Sequence, residues 1–229
     1  MARTRKTTST SRKPKTQTTR STRKKLKPKT RNQSDYIISM SENDVTFCSG
    51  PAGSGKTAVA VGLACEYILN NKVEKIVITR PVVESGRGIG FLPGSLVEKV
   101  HPYMVPIIEE MKLYLGAETF NTMRSTNEIE ICPLEYMRGR NFHSTFMILD
   151  EAQNATFEQI KMFLTRIGIG SKAIINGDLD QTDLKGDSFG GLNSCMGSLD
   201  NLEGVGICKL DHSDIVRNDI IAKILKRLK

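Results

Sequence analysis

The chain has 229 residues, 38% of them apolar and 25% charged, with 33 Lys and Arg against 25 Asp and Glu. That is enough apolar chain to bury the core of one soluble domain. No apolar run approaches the roughly 18 to 20 residues that span a bilayer, and the basic N-terminus lacks the apolar stretch of a secretory signal, so the expected location is the cytoplasm with no membrane partner.

The formal charge of +8 is unevenly spread. Residues 1–34 carry 13 of the Lys and Arg and no acid, whereas residues 35–229 carry a net −5. The opening "MARTRKTTSTSRKPKTQTTRSTRKK" has no aromatic residue and no apolar periodicity, so it cannot offset the entropy of ordering. Residues 1–25 are therefore expected to be a disordered basic tail, ahead of a folded domain over 26–229. Such an arm either contacts phosphates, each paired Lys or Arg releasing a counterion, or serves solubility alone. The five cysteines, Cys48, Cys65, Cys132, Cys195 and Cys208, are odd in number and never spaced as a zinc or redox pair; reduced core residues are expected.

From about residue 44 short apolar runs alternate with helical patterns, which predicts a parallel sheet covered by helices. "DVTFCSG" reads as a strand ending in a glycine loop, "TAVAVGLACEYILNN" as a helix, and "KIVITRP" as the next strand, closed by Pro81. A glycine-rich loop, "ESGRGIGFLPG", precedes an amphipathic helix from about Pro102 to Leu115. "EIEICP" and "STFMILD" are further strands. In "TFEQIKMFLTRIG" Thr156 and Gln159 form a capping box, Phe157, Ile160, Leu164 and Ile167 share a face, and Gly168 ends the helix. "KAIING" is a strand leading into "DLDQTDL", "GICKL" is the last strand, and a helix with Ile220, Ile221, Ile224, Leu225 and Leu228 on one side closes the chain.

"GPAGSGKT" fits the spacing G-x-x-x-x-G-K-[ST] without a departure, between a predicted strand and a predicted helix. Gly50, Pro51, Ala52, Gly53, Ser54, Gly55, Lys56 and Thr57 are the expected cradle of a nucleoside triphosphate. The glycines let backbone N–H groups approach phosphate oxygens at a helix N-terminus, Lys56 reaches the β and γ phosphates, and the Thr57 hydroxyl holds Mg²⁺. In a parallel sheet the ligand crevice lies outside the carboxyl ends of the strands. The strand ending in Asp150 then aims an acid at that loop, with Asp150 supporting the metal and Glu151 polarising the attacking water. Two adjacent acids require a nearby cation, for which the metal and Lys56 are the candidates. The plainer alternative is that such acids cap the following helix. "NGDLDQTDL" places Asp178 and Gln181 on the same rim, Gln181 as a sensor of the γ phosphate and Asp178 either beside it or opening an Asx turn. Arg217, in "HSDIVRND", is an arginine-finger candidate or a surface Arg.

Together these residues resemble the PhoH-like ATPases, whose single RecA-like domain is similar to the first motor domain of superfamily 1 helicases. The resemblance rests on "GPAGSGKT", "TRPVVESGRGIGFLPGSLVEKVHPY", "PLEYMRGR", "ILDEAQN", "KMFLTRIG.GSK", "GDLDQTDL" and "DIVRN". It implies one α/β RecA-like P-loop domain, a mostly parallel sheet with helices on both faces, ATP and Mg²⁺ as cofactors, and hydrolysis coupled to RNA binding or unwinding. It also implies that Gln33 reads adenine with Tyr36 packed close by, and that Lys56, Thr57, Asp150, Glu151, Gln181 and Arg217 occupy the family's nucleotide-site positions. The stretch "KGDSFGGL" is less basic than the family form. A motor of this type closes a cleft between two RecA-like units, so a homo-oligomer is expected; if Arg217 acts in trans rather than in cis, the nucleotide lies between subunits and a head-to-tail ring, a hexamer among them, is the closed solution. Arg80, Arg87, Arg138 and Arg140 are the candidate nucleic-acid contacts, or else belong to subunit contacts and solvated loops. A nucleotide-gated RNA-binding module and a P-loop kinase are the competing readings.

Overall fold

The computed structural model describes residues 23–81, 96–181, 190–216 and 227. Six strands form one sheet in the order β3-β2-β4-β5-β1-β6, and every recorded pairing is parallel. They are β1 (Val45–Ser49), β2 (Lys75–Arg80), β3 (Ile129–Pro133), β4 (Thr145–Leu149), β5 (Lys172–Gly177) and β6 (Val205–Lys209). The four inner strands are almost wholly buried, which is why they read as continuous apolar runs rather than alternating ones.

Helices cover both faces, as a sheet built from crossovers requires. On one face lie α1 (Arg31–Glu42), α2 (Lys56–Leu69), α3 (Leu96–Leu115) and α4 (Ala117–Ser125), packing Tyr36, Met40, Leu63, Ile107, Met111 and Phe120 against Ile76, Phe146, Ile148 and Ile174. On the other, α5 (Phe157–Leu164) and α6 (Gly191–Ser198) pack Ile160, Phe163, Leu192 and Met196 against Phe47, Val77, Met147 and Ile175. Burying each such side chain contributes about 1.5–3 kcal/mol, so the two apolar clusters fix the sheet between its helical layers. All five cysteines are free thiols; burial pushes Cys65 and Cys132 up to about 12 and Cys195 up to about 11. No helix among the described residues is long and apolar enough to cross a membrane.

Several elements depart from the sequence reading. The Thr156–Gln159 capping box is present on both arms, but α5 stops at Leu164, because Ile167 leaves the helix to bridge to Phe142. Its buried face is Ile160 and Phe163, whereas Phe157 is 40% exposed. Helix α3 begins at Leu96, ahead of Pro102, and carries both Pro102 and Pro106 inside it. Helices α1, α4 and α6 have no counterpart in that reading. The signal for α1 was present in Thr30, whose side chain accepts from the Gln33 N–H as an N-cap. The chain from 82 to 95, which holds the glycine-rich loop and Arg87, lies outside the described residues, as do residues 1–22 of the basic tail and, residue 227 apart, the closing helix from Arg217 onward.

Residues 23–25, placed in the tail by their charge, are docked. The Lys24 N–H donates to the Leu113 carbonyl (2.9 Å), its ammonium pairs with Glu110 (2.6 Å) and lies over the Tyr114 ring, and Leu26 packs on the core beside Gly62. The strap then runs directly into α1.

At the far edge of the sheet Glu130 accepts a two-pronged contact from Arg140 (2.6 and 2.7 Å) and an ion pair from Lys75 (2.7 Å). The Arg140 hydrogen bonds, helped by Lys75, hold this carboxyl at about 2, below its ordinary 4.5, against the opposing effect of burial. A carboxyl depressed in the folded state stabilises above its unfolded value and loses that stabilisation as pH falls through its folded value. Glu130→Gln should therefore lower the free energy of unfolding at pH 7 by on the order of 1–2 kcal/mol, after discounting for partial exposure, and flatten the acid loss between pH 4.5 and about 2. Urea unfolding at pH 7 and pH 3 checks this; parallel curves for the two proteins would show that the pair contributes nothing.

Candidate nucleotide site

The carboxyl ends of β1, β2, β4 and β5 share one rim, and the site is assembled from what each strand releases there. Strand β1 gives way to the loop Gly50–Gly55. Gly50 has no room for a side chain, since a Cβ would stand 2.6 Å from the Leu210 carbonyl oxygen. Gly55 sits at φ 95° as the N-cap of α2 and makes no side-chain cap, which leaves the first N–H groups of that helix aimed into the cleft. Strand β5 separates β1 from β4 in the sheet, so Asp178, after β5, stands between the loop and Asp150.

The cleft has a volume of about 410 Å³ and is lined by Lys56, Thr57, Asp150, Glu151, Asp178 and Gln181, with Ala52, Gly53, Gly55, Ala58 and Gly177. The Thr57 hydroxyl donates to Asp150 Oδ1 at 2.7 Å, bringing together the two groups expected to hold a metal. Lys56 Nζ donates to the carbonyls of Gly50 (2.5 Å) and Pro51 (3.1 Å). Ser54 is buried, its hydroxyl donating to the Pro51 carbonyl at 2.8 Å. Glu151 adopts the left-handed backbone, φ 55° and ψ 40°, an uncommon conformation for a side chain of its size. Its side chain is 49% exposed and accepts from Gln153 Nε2 at 2.7 Å. Gln153 Oε1 in turn accepts the Asp178 N–H at 3.0 Å, so one amide ties the rim positions after β4 and β5. Asp178 does open an Asx turn, Oδ1 accepting the Asp180 N–H (3.0 Å), while its buried Oδ2 has no hydrogen-bond partner among the described residues.

The cation that offsets the acids differs from expectation. Lys56 makes no ion pair with them among the described residues; the partner is Arg80, at the end of β2. Arg80 Nε and Nη2 reach Asp150 Oδ2 at 2.9 and 2.6 Å, and Nη2 lies 3.9 Å from Glu151 Oε1. The reason is register: Thr79 pairs with Leu149, so Arg80 and Asp150 emerge side by side from neighbouring strands. Arg80 is thus engaged by Asp150 at the carboxyl end of β2, and Arg140 is engaged by Glu130. Of that group only Arg138 is exposed among the described residues; Arg87 lies outside them, as does Arg217.

On the opposite side of the loop, Gln33 is buried, donating through Nε2 to the Ser54 carbonyl (2.9 Å) and accepting the Lys29 N–H (2.9 Å). It lines a smaller cleft of about 110 Å³ with Gly53, Gly55, Lys29, Tyr114, Asp214 and Val216. Tyr36, expected beside the base, is fully buried instead, its hydroxyl donating to Asn176 of β5 at 2.6 Å. It supports α1 from below and lines neither cleft. Asp214 escaped the sequence reading. Burial pushes its carboxyl up, but hydrogen bonds from Thr30, Asn32 and the Asp211 N–H outweigh that and leave it below its ordinary value. The Thr30 hydroxyl donates to Asp214 and accepts from the Gln33 N–H, so the segment after β6 is hydrogen-bonded through α1 to the phosphate loop.

The donor set fits a magnesium triphosphate. Among the described residues it offers uncapped helix N–H groups, a lysine bonded only to carbonyls, a hydroxyl paired with a buried carboxylate, and an unpartnered carboxylate oxygen of Asp178.

Residues 25–229 match the family model described as PhoH-like protein. The chain belongs to the PhoH-like family. Among curated members it is 45% identical over 203 residues to a PhoH-like protein of Bacillus subtilis, covering 89% of this chain and 64% of that one. It is 43% identical over 201 residues to one from Synechocystis (88% and 61%) and 37% identical over 195 residues to Protein PhoH of Escherichia coli K12 (84% and 55%). This PhoH-like chain therefore spans less than two thirds of the length of those relatives. Its fold is similar to that of the large terminase from a thermophilic bacteriophage, with a TM-score of 0.55 at 13% identity, covering 89% of this chain and 51% of that one. The same terminase in complex with ADP gives 0.53 at 12% identity, over 87% and 50%.

Proposed function

We propose that this chain binds ATP with Mg²⁺ and hydrolyses the β–γ phosphoanhydride, and that hydrolysis is coupled to nucleic acid, RNA in preference, through binding or unwinding. The observation that carries the reading is the convergence of Lys56, Thr57, Asp150, Glu151 and Gln181 on one cleft at the carboxyl rim of a parallel sheet, with Thr57 and Asp150 already 2.7 Å apart. Membership of the PhoH-like family and a fold shared with a protein solved with ADP support it.

Each residue has a distinct task in this reading. The N–H groups of the loop and of the α2 N-terminus receive phosphate oxygens, and Lys56, exchanging its carbonyl contacts for phosphate, stabilises the transferred charge. Thr57 and Asp150 would hold the metal, which would supply neutralisation of the phosphate charge. Glu151 orients a water and accepts its proton, its position set by the left-handed backbone and by Gln153. Gln181 senses the γ phosphate, and Gln33, locked to the loop through Ser54, faces the base side. Assembly with further copies of the chain, a hexameric ring being one closed form, brings Arg217 to a neighbouring nucleotide.

For nucleic acid, Arg87, the exposed Arg138 and the basic tail are the groups proposed to contact phosphates. The test is ATP turnover with and without single-stranded RNA and DNA at fixed salt. Several-fold stimulation, larger for RNA, is expected. Turnover indifferent to both polymers would separate the ATPase from nucleic acid, and phosphate appearing on a small acceptor instead of free in solution would make the chain a kinase.

A further inference from the structure

We propose that Arg80 is a positioning residue that transmits the state of the metal carboxylate to helix α3. The inference rests on the magnesium–nucleotide reading of the cleft.

The guanidinium joins two layers of the fold. Through Nε and Nη2 it grips Asp150 Oδ2 at the end of β4 (2.9 and 2.6 Å), and through Nη1 it donates to the Tyr103 carbonyl of α3 (2.6 Å). Tyr103 lies between Pro102 and Pro106. Pro106 has no N–H for the Pro102 carbonyl and its ring crowds that turn, so Arg80 grips α3 at the residue beside its weakened turn. The rigid, planar fork of an arginine puts two donors on the carboxylate and a third on the carbonyl in one fixed plane, a geometry that a lysine ammonium does not reproduce.

Asp150 is in addition the group that would serve the metal. Its side chain is 2% exposed, one oxygen taken by the Thr57 hydroxyl and the other by Arg80. A buried ion pair of this sort is weak as a stabiliser compared with apolar packing, so its place at the rim of the cleft calls for another reason. Arg80 and a cation at Thr57 and Asp150 compete for the same negative charge, and the two positive charges repel. A second carboxylate is within reach, Glu151 Oε1 at 3.9 Å, with its side chain 49% exposed. When a cation takes up the charge of Asp150, the guanidinium shifts towards Glu151 and gives up the Tyr103 carbonyl. The proline-containing turn of α3 is then released, and α3 packs against α2, the helix that begins at Lys56.

The experiment is hydrogen exchange on the full chain with a non-hydrolysable ATP analogue, in Mg²⁺ or in EDTA, with analogue binding measured in the same samples. In the wild type, exchange in the peptide around Tyr103 should rise several-fold with Mg²⁺ and analogue together. Arg80→Lys keeps the charge but not the fork, and should exchange fast there in both conditions. Arg80→Gln should reach half-saturation with analogue at about tenfold lower Mg²⁺, the competing cation being gone. An unresponsive Tyr103 peptide in wild type that binds the analogue, or a response retained in Arg80→Lys, overturns the proposal while leaving the nucleotide site standing. Binding that is absent in wild type, or unchanged in Lys56→Ala, removes the site itself and the lever with it.

Discussion

Lys56→Ala is expected to lower ATP turnover by at least about 10²- to 10³-fold, the scale on which a preorganised charge aimed at a transferred phosphoryl group acts. The side chain lines the cleft, and among the described residues its ammonium is held only by the carbonyls of Gly50 and Pro51. Neutral carbonyl contacts are weaker than contacts to an anion, so the lysine is free to transfer to phosphate. Because it makes no ion pair among the described residues, removing it should leave the fold intact. Steady-state phosphate release, beside a thermal melt to show an unchanged midpoint, is the check; turnover within a few-fold of wild type would mean that another group carries the charge.

Glu151→Gln should behave differently: nucleotide binding retained, hydrolysis slowed by about 10²- to 10⁴-fold. The substitution keeps the shape of the side chain, and the amide oxygen can still accept from Gln153 Nε2, now 2.7 Å from the carboxylate. What disappears is the ability to take a proton. Single-turnover hydrolysis alongside equilibrium binding separates the two effects. Normal hydrolysis would transfer the role of base elsewhere, with Asp178 the first candidate, since its Oδ2 is buried at the same cleft without a partner among the described residues.

The inner strands and the phosphate loop are legible in the sequence because each follows from a local rule: a short apolar run buried on both faces, and a glycine spacing between strand and helix. Asp150 and Glu151 are legible for the same reason, as acids where such a run stops. Arg80 is not, because its role depends on β2 lying beside β4 in register, and strand order is a property of the whole sheet. Tyr36 is misplaced by analogy of position alone; an aromatic near the loop is drawn into the core when a strand polar group, here Asn176, waits for its hydroxyl. Helix α6, "GLNSCMGS", is hidden by Gly and Ser of low helix propensity and exists because Leu192, Cys195 and Met196 share a buried face. Asp214 is a single letter in a short turn until Thr30 and Asn32 of another element are brought to it.

The most direct measurement is a crystal structure of the chain with Mg²⁺ and a non-hydrolysable ATP analogue. The triphosphate should lie against the Gly50–Gly55 loop, with Lys56 Nζ moved off the Gly50 and Pro51 carbonyls onto phosphate oxygens and the metal beside Thr57 and Asp150. A triphosphate bound elsewhere, with Lys56 still on those carbonyls, would contradict the account.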